Sequence, residues 1–177
     1  MRLCEKIQKN ILPALGKDKG TSIMALPHLD KIIVTVGIGP YREQKDVIEI
    51  IKKELSAVTG QIPKFSCAKK SISGFKLREG QTVGFVVTLR GQKMWDFVEK
   101  IIMVVLPRMR DFDGIKITSF DKNNNLTFSI REQLMFPEIK ADDVKNIWGM
   151  GITLSIKNAS DKDLTIEYLK QIGFIFK

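Results

Sequence analysis

Residues 68–80, AKKSISGFKLREG, combine side chains that can bind a phosphate backbone. Cationic groups supply charge and hydroxyls supply short hydrogen-bond donors, while Gly74 and Gly80 let the main chain approach a ligand closely. The ring of Phe75 can stack on an unpaired base or a ribose. Only one acid, Glu79, lies in the segment. The basic and hydroxyl residues of segment 68–80 are Lys69, Lys70, Ser71, Ser73, Lys76 and Arg78.

The basic charge of the chain is concentrated around this segment. The formal net charge is +9 at pH 7, and within residues 60–93 seven lysine or arginine residues stand against Glu79 alone. Positive charges this close together repel one another and do not stabilise the fold, so they indicate a polyanionic partner. The window lacks the pattern of a basic amphipathic helix, which favours nucleic acid over an anionic membrane surface.

Residues that support catalysis or bind metals are scarce and poorly spaced. His28 is the only histidine, and its context, ALPHLDK, indicates a turn before a strand. Cys4 and Cys67 have no C-x-x-C partner and are predicted to be unpaired thiols. GIGPYR begins like a dinucleotide-binding fingerprint, but Arg42 takes the place of the third glycine. The sequence predicts no catalytic residue, no metal site and no cofactor.

The apolar residues indicate a protein of the cytoplasm. No apolar run approaches the roughly 20 residues that span a bilayer. The first residues, MRLCEKIQKNILPAL, include an acid and lack the central apolar block and cleavage site of a signal peptide. We therefore expect no membrane association.

Hydrophobic periodicity predicts alternating helices and strands that would position these residues. Helices are predicted at 2–15, 43–59, 94–106 and 161–172, with a loop at 16–22, a helix stop at Gly60 and a helix start at Asp142–Asp143. Strands are predicted at 31–39, 64–68, 82–91, 126–132 and 151–157.

The order of these elements predicts an α+β fold. Hairpins joined by helical crossovers favour an antiparallel sheet with helices packed mainly on one face, which leaves the other face free. The basic segment becomes the long loop of a hairpin between the second and third strands. A chain of 177 residues is long enough to bury one core, so residues 1–177 are predicted to form a single domain.

Several long stretches resemble a known protein family. They are TGQIPKFSCAKKSISGFKLREGQTVGFVVTLRG, LPRMRDFDGI, SFD and REQLMFPEI, within a similarity that runs from LPHLDKIIVTVGIG to LKQIGF. These stretches resemble the bacterial large-subunit ribosomal protein five family, which holds 5S ribosomal RNA (5S rRNA). The resemblance implies an α+β fold with an antiparallel sheet, a place in the central protuberance, and no enzymatic activity.

The resemblance also implies roles for individual residues. The loop 68–80 would reach transfer RNA (tRNA) in the peptidyl site, near its elbow. Binding of 5S rRNA would involve the sheet and nearby segments, at Thr35, Gln61, Thr88 and Arg90. Thr35 stands where the family usually has asparagine, and a hydroxyl makes fewer hydrogen bonds than an amide.

A third implied contact is an intersubunit bridge to a small-subunit head protein, the thirteenth. The implied surface lies around residues 108–117, with Arg108, Arg110, Asp111 and Asp113 as candidates. Asp113 replaces the arginine usual in RDFRG, and DKNNN replaces a glycine-arginine turn. Both departures change the chemistry available to the bridge.

The leading interpretation is a structural constituent of the large ribosomal subunit. It would bind 5S rRNA and large-subunit rRNA, and would act as a monomer within the ribosome. Two other classes stay open: an RNA-processing or RNA-modifying enzyme, and a basic adaptor for acidic proteins. The lack of acidic and basic side chains spaced for general acid–base catalysis argues against the enzyme. Co-purification with a small structured RNA would separate the leading interpretation from the adaptor.

Overall fold

Apolar side chains recur at helix and strand periods and form elements in the predicted order. The computed structural model describes residues 7, 11–19, 22–42, 44–75, 77–110, 112–140 and 146–177. The helices are α1 (Leu12–Lys19), α2 (Lys45–Thr59), α3 (Gly91–Lys100) and α4 (Lys162–Ile172), and α3 continues through a π-helical stretch, Ile101–Val105, and a last turn, Leu106–Arg108. The strands are β1 (His28–Gly37), β2 (Lys64–Cys67), β3 (Thr82–Leu89), β4 (Leu126–Ile130) and β5 (Met150–Lys157).

The five strands form one antiparallel sheet in the order β2-β3-β1-β5-β4. Strand β1 is therefore central, and β2 and β4 are the edges. In the hairpin of β2 and β3, Phe65 lies opposite Phe85, and the two ring centroids are 5.2 Å apart. The predicted α+β fold with an antiparallel sheet is confirmed.

The strands bury one side and leave the other for small polar residues. On β5, the side chains of Ile152 and Leu154 are fully buried. Thr153 between them is half-buried, and its hydroxyl lies 3.1 Å from that of Thr127 on β4. Because successive side chains of a strand point to opposite sides, this alternation gives β5 an apolar side and a polar side.

Helix α2 shows how an amphipathic segment ends where the sequence predicts. Its buried apolar residues, Ile51, Leu55 and Val58, follow helical spacing. Gly60 follows the helix with a φ of +65°, and its N–H donates to the carbonyl oxygen of Ser56 at 2.8 Å. Glycine adopts this left-handed conformation without steric cost, so the predicted helix stop is confirmed.

The prediction for the first helix is wrong at its C-terminal end. Residues 16–19, predicted as loop, belong to α1, in which Leu15 is fully buried. Pro13 is the second residue of α1 and does not end the helix. Most of the segment 1–10 and the predicted helix start at Asp142–Asp143 lie outside the described residues.

The chain divides into two compact units. The first comprises Met1–Ile32, Leu89–Phe128 and Thr153–Lys177, and the second comprises Ile33–Thr88 and Ser129–Ile152. In the first unit, the backbone N–H of Leu29 donates to the hydroxyl of Tyr168 on α4. In the second, the indole N–H of Trp148 donates to a carboxylate oxygen of Glu54 at 2.7 Å. The single domain over residues 1–177 stays a prediction.

We predict that the close approach of β1 and β3 makes Gly84 intolerant of any side chain. A Cβ atom at Gly84 would lie 2.5 Å from the backbone oxygen of Val36. Gly84→Ala should therefore lower the free energy of unfolding by about 1–3 kcal/mol, as overpacking does elsewhere. Urea titration would measure this. Gly74→Ala is the control, because no atom lies within 4 Å of its Cβ position. Equal stability of the two variants would contradict this packing.

Candidate nucleic-acid interface

The segment that connects β2 to β3 hydrogen-bonds to itself. At its base, the N–H of Ala68 donates to the carbonyl of Gln81 at 2.9 Å. Farther out, Ile72 and Leu77 form an antiparallel bridge whose two N–H···O bonds measure 3.0 and 3.1 Å. The segment is thus a second, shorter hairpin beyond the β2–β3 pair. We call residues 68–80 the basic loop.

Polar side chains in the basic loop and directly after it also bond to its main chain. The N–H of Glu79 donates to the hydroxyl oxygen of Ser71 at 2.9 Å, and the N–H of Arg78 donates to Oε1 of Gln81 at 3.2 Å. Because Ser71 accepts this bond, its hydroxyl proton remains available to donate to a ligand. Ser73 and Phe75 belong to a single 3₁₀ turn at the tip.

The side chains predicted to contact tRNA point away from any core. Lys69, Lys70, Ser73 and Arg78 are exposed, and the residue Phe75 is 69% exposed. Among the described residues, no ion pair engages the two lysines or the arginine. Lys76 lies outside the described residues. An exposed ring beside unneutralised cations is the combination that stacking and phosphate contact require.

A residue outside the loop holds its tip. The guanidinium of Arg42 donates from Nε to the carbonyl of Gly39 and from Nη1 to the carbonyl of Phe75, both at 3.1 Å. The sequence singled out Arg42 only as the residue that breaks a dinucleotide fingerprint. Nothing in its spacing signals a bond to a residue 33 positions away, so sequence reasoning missed it.

Three of the residues implied for 5S rRNA lie in the second unit and are exposed. They are Thr35 on β1, Gln61 after α2 and Thr88 on β3. The hydroxyl of Thr35 donates to the carbonyl of Gly151 at 3.4 Å, which leaves its oxygen as an acceptor. The main-chain carbonyl of Gln61 accepts a bond from the buried hydroxyl of Thr59 at 3.1 Å. The same hydroxyl donates to the carbonyl of Leu55 at 2.7 Å, so its one proton is shared between α2 and the backbone of Gln61.

The fourth residue, Arg90, lies in the first unit within a group of charges. Its Nη1 atom lies 3.3 Å from Oδ2 of Asp30, and Nζ of Lys157 lies 3.0 Å from Oδ1 of the same carboxylate. The hydrogen bond from Lys157, with the charges of Lys157, Arg90 and Lys31, lowers the pKa of Asp30 despite partial burial. Sequence reasoning missed Asp30 and Lys157, because both are far from Arg90 in the sequence and lie on the strands β1 and β5.

The segment implied for the bridge is held by the last residues of the chain. Ile115 is buried, and its N–H donates to the carbonyl of Ile175 at 2.8 Å. Nearby, Nζ of Lys177 lies 2.8 Å from Oδ2 of Asp113, whose side chain is 71% exposed. The candidates Arg108 and Arg110 are exposed, and Asp111 lies outside the described residues.

The described residues provide neither a cluster of metal ligands nor a membrane-spanning helix. Across the described ranges, no group of three or more His, Cys, Asp or Glu side chains could hold a metal ion. Cys67 is a free, exposed thiol, and Cys4 lies outside the described residues. In the same part of the chain, no helix is both long and apolar enough to cross a membrane.

Comparisons with known proteins cover nearly the whole chain. Residues 22–78 match the family described as Ribosomal protein L5, and residues 82–176 match the model for the C-terminus of the same ribosomal family. The chain is 45% identical to the large ribosomal subunit protein uL5 of Thermobifida fusca over 177 residues, covering 99% of this chain and 92% of the relative.

Two further relatives carry the same name. The protein of Malacoplasma penetrans is 43% identical over 175 residues, covering 98% of this chain and 93% of the relative. That of Streptococcus thermophilus is 43% identical over 176 residues, covering 99% and 97%.

We predict that Arg42 orders the tip of the basic loop. Arg42→Ala removes the donor to the carbonyl of Phe75, so the turn should open more often. One net hydrogen bond is worth about 0.5–1.5 kcal/mol, so amide exchange at Phe75 and Leu77 should accelerate by about two- to tenfold. Hydrogen exchange followed by NMR would measure this. The control is Arg78→Ala, and equal acceleration in both variants would argue against an ordering role for Arg42.

Proposed function

The chain belongs to the ribosomal protein L5 family, and we propose that it binds 5S rRNA and peptidyl-site tRNA with two different sets of residues. As a family member it is a structural, non-catalytic component of the large ribosomal subunit and works beside rRNA in the cytoplasmic ribosome. The RNA-processing or RNA-modifying enzyme is thereby set aside. We propose a position in the central protuberance.

The exposure of the basic loop is the observation that carries the proposal for tRNA. Its cations are unneutralised among the described residues, and its main chain bonds to itself, so the loop keeps its shape without a partner. A loop that is already ordered loses little conformational entropy when it binds. We propose that Lys69, Lys70, Lys76 and Arg78 contact phosphates, with Ser71 and Ser73 as hydroxyl donors and Phe75 stacking on a base or ribose.

For 5S rRNA, we propose contacts from neutral polar side chains together with one arginine. Thr35, Gln61 and Thr88 are exposed hydroxyl and amide groups, the kinds that bind ribose 2′-hydroxyls and base edges. Arg90 would add a contact to phosphate. Thr35 offers one hydroxyl, whose proton already bonds to the carbonyl of Gly151. We therefore expect Thr35 to accept a hydrogen bond from RNA rather than to donate one.

We also propose that the segment 108–117 contacts the thirteenth small-subunit protein in an intersubunit bridge. Arg108 and Arg110 offer exposed cations, and Asp111 and Asp113 offer acids. Asp113 is paired with Lys177, so its charge is partly neutralised before any partner arrives. A partner would therefore meet a segment of mixed charge.

We predict that Thr88, and not the basic loop, governs the affinity for isolated 5S rRNA. Thr88→Ala should weaken binding by about 0.5–1.5 kcal/mol, the net worth of one hydrogen bond. Thr118→Ala removes an equally exposed hydroxyl from a 3₁₀ turn and is the matched control. The double change Lys69→Ala and Lys70→Ala should matter much less in a filter-binding titration. Loop and strand changes with equal effects would refute this division.

We predict that the basic loop matters for tRNA in the assembled ribosome. Replacing Lys69, Lys70 and Arg78 with alanine removes three exposed cations. Solvent and salt reduce the contribution of each cation to tRNA binding to about 0.5 kcal/mol. With all three removed, tRNA should dissociate from the peptidyl site roughly tenfold faster.

The control replaces Lys53, Lys122 and Lys170, which are equally exposed but lie outside the loop, and so removes the same net charge. Dissociation would be measured on purified mutant ribosomes with normal 5S rRNA occupancy. An unchanged rate in the loop variant would mean that the loop does not hold tRNA.

A further inference from the structure

One carboxylate on the central strand holds two cations, one at the end of β5 and one directly after β3. Asp30 lies near the start of β1, Arg90 directly follows β3, and Lys157 is the last residue of β5. Each oxygen of the carboxylate takes one cation: Arg90 at 3.3 Å and Lys157 at 3.0 Å. Of these three residues, only Arg90 has a role in the proposed function.

The cations lie outermost in this group. The side chains of Arg90 and Lys157 are 57% and 61% exposed, against 17% for that of Asp30. A guanidinium has five N–H donors and an ammonium three. With one bond each to Asp30 among the described residues, both cations keep donors that can face a ligand. Lys31 beside the carboxylate adds a third positive charge, so the group remains net positive.

We infer that Asp30 is a positioning residue that holds Arg90 and Lys157 as a paired site for the phosphates of an RNA backbone, with Lys157 as a further RNA-contacting residue. This inference rests on the proposed binding of 5S rRNA. Long cationic side chains lose much rotamer freedom when they bind. A carboxylate that holds two of them in place removes part of that cost in advance.

A positioning role for Asp30 predicts a change in RNA affinity opposite to that expected from net charge. Asp30→Asn raises the net charge of the protein by one, and long-range electrostatics alone would then strengthen binding to a polyanion. If Asp30 positions the two cations, the same change weakens binding, because both side chains lose the group that orders them. The direction of the effect therefore separates positioning from bulk charge.

The experiment measures the affinity of the full chain for a 5S rRNA transcript as a function of salt. Lys157→Ala should weaken binding by about three- to tenfold at moderate salt and make the log–log salt slope shallower by about 0.7–0.9. Asp30→Asn should weaken binding by about threefold, and Asp30→Glu, which keeps the carboxylate, should restore part of that loss.

The chain offers a matched control in the same unit. Asp113 and Lys177 form a second exposed ion pair, at 2.8 Å. Asp113→Asn and Lys177→Ala change the net charge by the same amounts. They should change the affinity for 5S rRNA only slightly, as net charge alone would. Melting temperatures of all variants would show that they fold.

A double-variant background tests for a merely structural role. In a chain with both Arg90→Ala and Lys157→Ala, no cation remains to be positioned, so Asp30→Asn should no longer weaken binding. Weakening in both backgrounds would mean that Asp30 supports the fold, and would overturn the inference. So would tighter binding by Asp30→Asn in the wild-type background, or no effect of Lys157→Ala. Failure of the wild-type chain to bind 5S rRNA would instead overturn the proposed function, and the inference with it.

Discussion

The two-sided character of the strands is the constraint on which the rest of the structure depends. On β5, Ile152 and Leu154 are removed from water, while Thr153 between them keeps a hydroxyl on the other side. Burying one such aliphatic side chain stabilises the fold by about 1.5–3 kcal/mol, so the apolar sides drive folding. The polar sides carry no comparable stabilisation. They are left for recognition, and short hydroxyl side chains let another molecule approach closely.

The candidate surfaces are ordered by different interactions. The basic loop is shaped by main-chain hydrogen bonds, with Arg42 as the outside contact to its tip. The charges around Asp30 are ordered by its ion pairs with Arg90 and Lys157, which come from two other parts of the chain. In both cases the residue that orders the surface differs from the residues that would touch RNA. Alanine scanning of the outermost residues alone would therefore miss the residues that order these surfaces.

The sequence predicts the elements better than it predicts the site. Strand alternation, the helix stop at Gly60 and the order of elements follow from local patterns, and the structure has them. Helix α1 is an exception, because Pro13 and the charged residues after it favour a helix end, whereas the helix continues to Lys19. A local pattern does not record which turn of a helix a proline will occupy.

The site was predictable only where it is continuous in sequence. The basic loop is visible as a run of cations, whereas Arg42 and Phe75 are 33 positions apart and Asp30 and Arg90 are 60 apart. Such contacts depend on how strands align, which no short window contains. The resemblance to a family supplied Arg90, but it did not supply the carboxylate that holds it.

The close approach at Gly84 also bears on how the chain avoids misfolding. Strand pairing can slip by one residue, which turns every side chain of a strand to the opposite side of the sheet. A slip of β3 against β1 would bring Val83 or Phe85 to the carbonyl of Val36, where even a methyl group would lie only 2.5 Å away. The absence of a side chain at Gly84 therefore favours the native alignment of β3 with β1 over an alignment shifted by one residue. A sheet misaligned in this way would therefore be less stable than the native one.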